Sequence, residues 1–171
     1  MRWLYERTED NSARFILGTE GMRPLVCFGI NPSTAEPGNL DKTVNYVCRL
    51  ADANGFDSFV MFNVCAQRAT DPDNLQKIFS PELKSVNERH IAAFINGREL
   101  RLWAAWGGLI RKRPYLAEMA RCIAALPELG NCGWVSRGGA TKEGHPRHPL
   151  YVKKSAPFEP FDMAGYVRDI L

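Results

Sequence analysis

Four short segments of this chain carry more side-chain hydrogen-bonding groups than a turn requires: Gly29-Ile30-Asn31-Pro32-Ser33-Thr34, the run FNVCAQR that begins at Phe62, the run WAAWGG that begins at Trp103, and Gly138 to Val152, which reads GGATKEGHPRHPLYV. In the first, Asn31 is held against a proline and followed by two hydroxyl residues. An amide fixed in this way can aim its carbonyl at a water or a substrate, but it is too weakly basic to take a proton near neutral pH. Chemistry that relies on Asn31 therefore needs a leaving group that departs largely by itself. Asn-Pro and Ser-Thr are also ordinary turn and cap residues. The nearest downstream carboxylate, Asp41, reads as a helix cap rather than a base.

Asn63 closes the apolar run SFVMFNV. A buried amide needs partners for its carbonyl and both N–H donors. Neighbouring backbone can supply them; otherwise the side chain can read the edge of a planar, amide-like ligand such as a nucleobase. Gln67 and Arg68 follow on the same rim, where Arg68 could hold a phosphate in forked geometry or be a plain surface charge. The Gly138–Val152 segment holds His145 and His148, two of the chain's three histidines, with Lys142 and Arg147 among glycines and prolines. A neutral imidazole can donate to a developing anion, while Lys142 and Arg147 can hold a phosphate. The alternative is a solvated basic loop. His90 reads as a surface residue of a helix, and Trp103 and Trp106 most simply as core and rim aromatics, with stacking on a base as the alternative for Trp106.

The elements between these segments set their positions. Leu25–Ile30 and Ser58–Val64 are apolar enough for strands buried on both faces, and Glu99–Ala105 and Gly133–Val135 extend the series. Asp41 caps a helix with Val44, Val47, Cys48 and Ala51 on one side, ended by Asn54-Gly55. Further helices are expected over 82–96 and 114–126, and the tail FDMAGYVRDIL is amphipathic. Trp3–Tyr5 and Arg14–Leu17 suggest a leading hairpin. Alternation of strand and helix is the rhythm of a parallel sheet covered on both faces, in which ligands bind beyond the carboxyl ends of the strands. The four polar segments lie at those ends.

The chain has 171 residues, enough for one domain spanning 1–171. Its composition is that of a globular protein, and its net charge of +3 permits an anionic partner without demanding one. Five cysteines, widely spaced and without a CxxC pair, argue against a structural metal. The charged N-terminus lacks the apolar centre of a signal peptide, and no apolar run reaches membrane-spanning length. A reduced, cytoplasmic, monomeric protein with no cofactor, no metal and no membrane partner is expected.

In this order, the four segments resemble the uracil-DNA glycosylase superfamily. GINPS resembles the GINPG motif of the mismatch-specific uracil/thymine glycosylases, which implies a water-positioning role for Asn31. FNVCAQR resembles the strand whose asparagine pairs with the uracil edge, here Asn63. LWAAWGG resembles their LLWG strand. HPRHPLY resembles their HPSPLS loop, in which a histidine stabilises the departing base anion and a leucine wedges into the duplex. The loop is longer here, so either His145 or His148 fits the histidine's role, with Leu150 and Tyr151 as the wedge. Ser33 stands where the mismatch enzymes have glycine, so Ser33, with Thr34 beside it, would shape the pocket. No cysteine set suits the iron–sulfur branch. The combination NPSTA, N-x-x-A-x-R-A-T-D-P and G-x-T-K-x-G-x-P-R-H-P-L-Y is, in addition, similar to a family of uncharacterised bacterial domains of unknown function, over most of the chain.

The resemblance implies a three-layer α/β/α fold around a central, mainly parallel four-stranded sheet, with the N-terminal hairpin added. It implies a base N-glycosidase acting on DNA or another nucleobase-containing ligand. Two other readings use the same fold: a binding module for a modified base, nucleotide or nucleic acid, and a hydrolase of a small nucleoside or nucleotide.

Overall fold

The computed structural model describes residues 2–171. In chain order the elements are β1 (Trp3–Arg7), β2 (Arg14–Thr19), β3 (Pro24–Gly29), α1 (Lys42–Ala53), β4 (Ser58–Asn63), α2 (Pro81–Ile95), β5 (Arg101–Ala104), α3 (Pro114–Ala124), β6 (Gly133–Arg137), β7 (Phe158–Pro160) and α4 (Met163–Asp169). The strands form one sheet in the order β1-β2-β4-β3-β5-β6-β7. The expected four-stranded, mainly parallel sheet is corrected to a seven-stranded mixed one. The β4-β3-β5-β6 pairings are parallel, and antiparallel pairings add β2 and β1 on one side and β7 on the other.

The local reasons for the elements are plain. Asp41 caps α1 by accepting the Val44 amide at 2.9 Å, and Ser80 caps α2 by accepting that of Leu83 at 3.2 Å. Pro81 and Pro114 occupy the first turns of α2 and α3, where the missing N–H is not needed. Along β3 and β4 successive side chains point to opposite faces. Leu25, Cys27, Phe59 and Met61 pack with Val44, Val47, Leu50 and Ala51 of α1. Val26, Phe28, Val60 and Phe62 pack on the other face with Ile91 and Ile95 of α2, Leu116 and Ile123 of α3, and Tyr166 of α4. The result is three layers, with α1 alone on one face. Burying a side chain of the size of Phe28 or Leu25 contributes about 1.5–3 kcal/mol.

From β3 the chain crosses by α1 to β4 on one side of β3, then by α2 to β5 on the other. The strand order therefore reverses at the carboxyl end of β3, the location at which an open α/β sheet leaves a crevice. Among the described residues, no helix is long and apolar enough to cross a membrane.

Candidate functional site

A cleft of about 310 Å³ opens at that reversal. Its walls are the β3 exit from Gly29 to Ser33, the β4 end with Asn63, the first turn of α1, the Ala69–Pro72 segment, Leu109 and His148. This volume lies at the small end of the range for small-molecule sites. The first turn of α1 faces the cleft through Lys42 and Thr43, and a helix start favours negative charge.

The β3 exit is held by backbone bonds to the segment after β4. Val64 N donates to Gly29 O at 2.9 Å, Cys65 N to Ile30 O at 2.8 Å, and Ala69 N to Pro32 O at 2.9 Å. Asn31 joins this lacing. Its Nδ2 donates to Ala69 O at 2.8 Å and to Pro32 O at 3.0 Å. Both amide hydrogens are thereby engaged, and the carbonyl Oδ1 is the group Asn31 has left to offer the cleft.

Asn63 differs. Period-two alternation puts it on the α1 face, with Phe59 and Met61, and it is only 2 % exposed. Its Nδ2 has no hydrogen-bond partner. Its backbone is fixed from the opposite layer, where Asn87 of α2 donates Nδ2 to Asn63 O at 3.0 Å. Gly29 is its register partner across β3 and β4, and a Cβ at 29 would stand 2.9 Å from Asn63 Oδ1. Glycine there keeps the amide clear. A buried, unpartnered donor in a cleft wall is costly unless a ligand completes it.

The two loop histidines part company. His148 lines the cleft with the two asparagines. Its Nδ1 accepts the Leu150 amide at 3.3 Å, which caps the helical turn Pro149–Tyr151. The neutral ring then carries its proton on Nε2. Burial pushes the His148 pKa below the ordinary histidine value, with Asp41 acting in the opposite sense. Gly107, in the left-handed region at φ 64°, lets this segment approach the end of β5, since a Cβ there would lie 3.3 Å from His148 Cβ. His145, 4 % exposed, faces a different depression, beside Arg111, Arg113 and Glu143. Its Nδ1 pairs with Tyr166 Oη at 2.9 Å, and Tyr166 Oη accepts Trp106 Nε1–H at 3.0 Å. That chain ties the loop to α4 and leaves His145 outside the cleft.

The other sequence candidates divide likewise. Ser33 lines the cleft, whereas Thr34 is exposed and is not among its walls. Arg68 donates to the carbonyls of Ser33 and Ala35 and to Tyr5 Oη, so its guanidinium clamps the NPSTA turn, and it is not among the walls of the cleft. Arg147 donates Nε to Gly138 O at 3.0 Å, within its own loop, and Lys142 is exposed. Leu150 and Tyr151 project at 46 % and 79 % exposure beside the cleft histidine. Leu150 borders a neighbouring groove along α1 with Lys42, Arg49 and Lys154. His90, expected on the surface, is half-buried and stacks on Phe15 with ring centroids 4.8 Å apart.

Sequence reasoning missed Arg14, Lys42, Thr43 and Leu109 as cleft residues and Asn87 as the support of Asn63. Asp41 is the cap it was expected to be and also lines the cleft. The available sequence signal was the position of Lys42 and Thr43 just after a predicted cap. Arg14 gave none.

The architecture thus defines an α/β protein with a cleft at the strand-order reversal of a mixed sheet. Residues 2–150 match the family described as protein of unknown function (DUF1643), and the chain belongs to that family. No curated protein and no solved structure matches it. The likeness to the uracil-DNA glycosylases rests on the four sequence segments alone.

Proposed function

We propose that the cleft binds a nucleobase and that the protein is an N-glycosidase acting on a base in DNA. The observation that carries the reading is the buried, unpartnered Nδ2 of Asn63 in the wall shared with Asn31 and His148. In this reading a base is turned out of its stack into the cleft. Asn63 reads its edge, offering an N–H donor and a carbonyl acceptor to the complementary pair on the base. The C1′–N bond breaks with its electron pair leaving on the base, and His148 Nε2–H stabilises the resulting anion. Asn31 Oδ1 orients a water toward the oxocarbenium-like sugar. The water oxygen bonds to C1′, and its proton passes to solvent or to the departed base. No strong base is needed, because bond breaking runs ahead of water attack. Leu150 and Tyr151 would fill the vacated stack.

The unpartnered Asn63 amide supports base recognition equally well without cleavage, so a binding module is the second reading. Calorimetric titration of free bases and nucleosides into the wild type and Asn31→Ala, read beside base release from oligonucleotides, separates them. The glycosidase reading predicts that Asn31→Ala keeps affinity within a few fold while base release from oligonucleotides falls. A wild type that binds these ligands but releases no base from any substituted oligonucleotide favours the binding module.

A further inference from the structure

The cleft also carries, on the strand next to that of Asn63, a buried positive charge that the proposed reaction does not use. Arg14, at the start of β2, is 2 % exposed and lines the cleft. Its Nη1 donates to Ala35 O at 3.0 Å, and its Nε has no partner. Arg68 reaches the same carbonyl, with Nη1 at 3.4 Å, so two guanidiniums converge on one neutral oxygen. Among the described residues, no carboxylate lies within ion-pair distance of either arginine. Asp41, the carboxylate that lines the cleft, is engaged by the Val44 amide. Burial, and after it the neighbouring Arg68, lowers the Arg14 pKa to about 10, with Asp41 and Tyr5 opposing, so Arg14 stays charged at neutral pH.

An unpaired buried guanidinium is unfavourable, and proteins keep such charges where a counter-charge arrives. The first turn of α1 borders the same space. Its Lys42 and Thr43 amides have no intrahelical acceptor, and Lys42 adds an ammonium. Fork-shaped, point-like and backbone donors arranged around one space suit a group with several acceptor oxygens.

We infer that Arg14, Lys42 and the first turn of α1 form an oxyanion subsite for a phosphate carried by the ligand whose base lies at Asn63. This rests on the nucleobase reading of the cleft. The phosphate is either the terminal group of a mononucleotide or the internal phosphodiester of a strand.

Calorimetric titration with inorganic phosphate, with deoxyuridine, thymidine and deoxyinosine, with their 5′-monophosphates, and with the matching dinucleotides tests it. The wild type should bind phosphate-bearing ligands about tenfold or more tightly than the nucleosides, as charge-assisted bonds imply. Lys42→Ala, at an exposed position, and Arg14→Gln should each reduce that advantage several-fold and leave nucleoside affinity unchanged. A gain shared by dinucleotides supports an internal phosphate, and one confined to monophosphates supports a terminal one. Nucleosides that bind as tightly as their monophosphates overturn the subsite and leave the base reading standing. A phosphate advantage that survives both replacements overturns its assignment to these residues. Inorganic phosphate binding that depends on Lys42, with no nucleoside binding at all, supports the subsite and removes the base reading.

Discussion

Gly29 and Asn63 are register partners at the carboxyl ends of β3 and β4, and a Cβ on Gly29 would lie 2.9 Å from Asn63 Oδ1. The contact is with the end of a side chain, which can swing away. Gly29→Ala should therefore fold, losing about 1 kcal/mol or less, while turning the Asn63 amide from its present direction. Binding of nucleobase ligands should fall by roughly tenfold or more, the cost of one misplaced buried hydrogen-bonding pair. Titration calorimetry beside urea denaturation checks both halves.

Replacing Asn63 itself should dissociate stability from function. Its Nδ2 is buried without a partner, so an apolar residue of similar volume removes a desolvation penalty rather than a bond. Asn63→Leu is expected to hold or raise the unfolding free energy from urea denaturation, by up to about 1–2 kcal/mol, and to abolish ligand binding. A loss of stability above that size would mean that the amide is structurally satisfied.

The two histidines predict a specific loss of stability with acid. Burial lowers the pKa of both below the ordinary 6.5; Arg111 adds to this for His145, Glu143 opposes it there, and Asp41 opposes it for His148. Each unfolded histidine then binds its proton at a higher pH than the folded one. Stability is full above pH 6.5 and falls as the pH drops below it. Protonating His148 also removes the Nδ1 lone pair that accepts the Leu150 amide. Urea midpoints should decline from pH 7 to 5, and His148→Asn should flatten the slope. The lowered carboxylates Asp10 and Asp57 titrate below this window.

Tyr166→Phe tests the separation of His145 from His148. The change leaves Trp106 Nε1–H and His145 Nδ1 without their shared partner. It should cost about 1–3 kcal/mol in chemical denaturation and leave ligand affinity in the cleft within a few fold. A large change in affinity would assign His145 to the site.

Arg68 gives a mobility prediction. Without its bonds to Ser33, Ala35 and Tyr5, the turn that follows Asn31 loses its clamp. Arg68→Met should raise amide exchange rates over residues 33–40 well before the core exchanges. Unchanged protection there would show that the lacing to Ala69 is sufficient.

Much of the fold was legible because periodicity writes it directly. Leu25–Phe28 and Phe59–Phe62 are apolar at every position, as strands covered on both faces must be. Asp41 marked the start of α1 and Pro114 that of α3, whereas the Ser80 cap and Pro81 of α2 lie within a segment that reads as a loop. β7 was missed because three residues, ending in Pro160, carry no period, and proline is tolerated on an edge strand. The full sheet was underestimated because β2 reads as half of a free hairpin, and only its pairing with β4 makes it internal. That pairing also explains Arg14. A charged residue opening a strand reads as exposed, and here the NPSTA turn folds over it. Asn63 was legible as an amide closing an apolar run. The choice between His145 and His148 was not, since three residues of loop path decide it.

The central claim is that Asn31, Asn63 and His148 act together on a base. Its most direct test is single-turnover base release from single-stranded and duplex oligonucleotides carrying uracil, hypoxanthine or mismatched thymine, read as alkali-labile strand scission. The account predicts release by the wild type from at least one substrate. It predicts a rate lower by about a hundredfold or more in His148→Ala, the usual consequence of removing one donor to a developing anion, and an unchanged rate in His145→Ala. Folded wild-type protein that releases no base from any of these substrates, or release indifferent to His148, would contradict it.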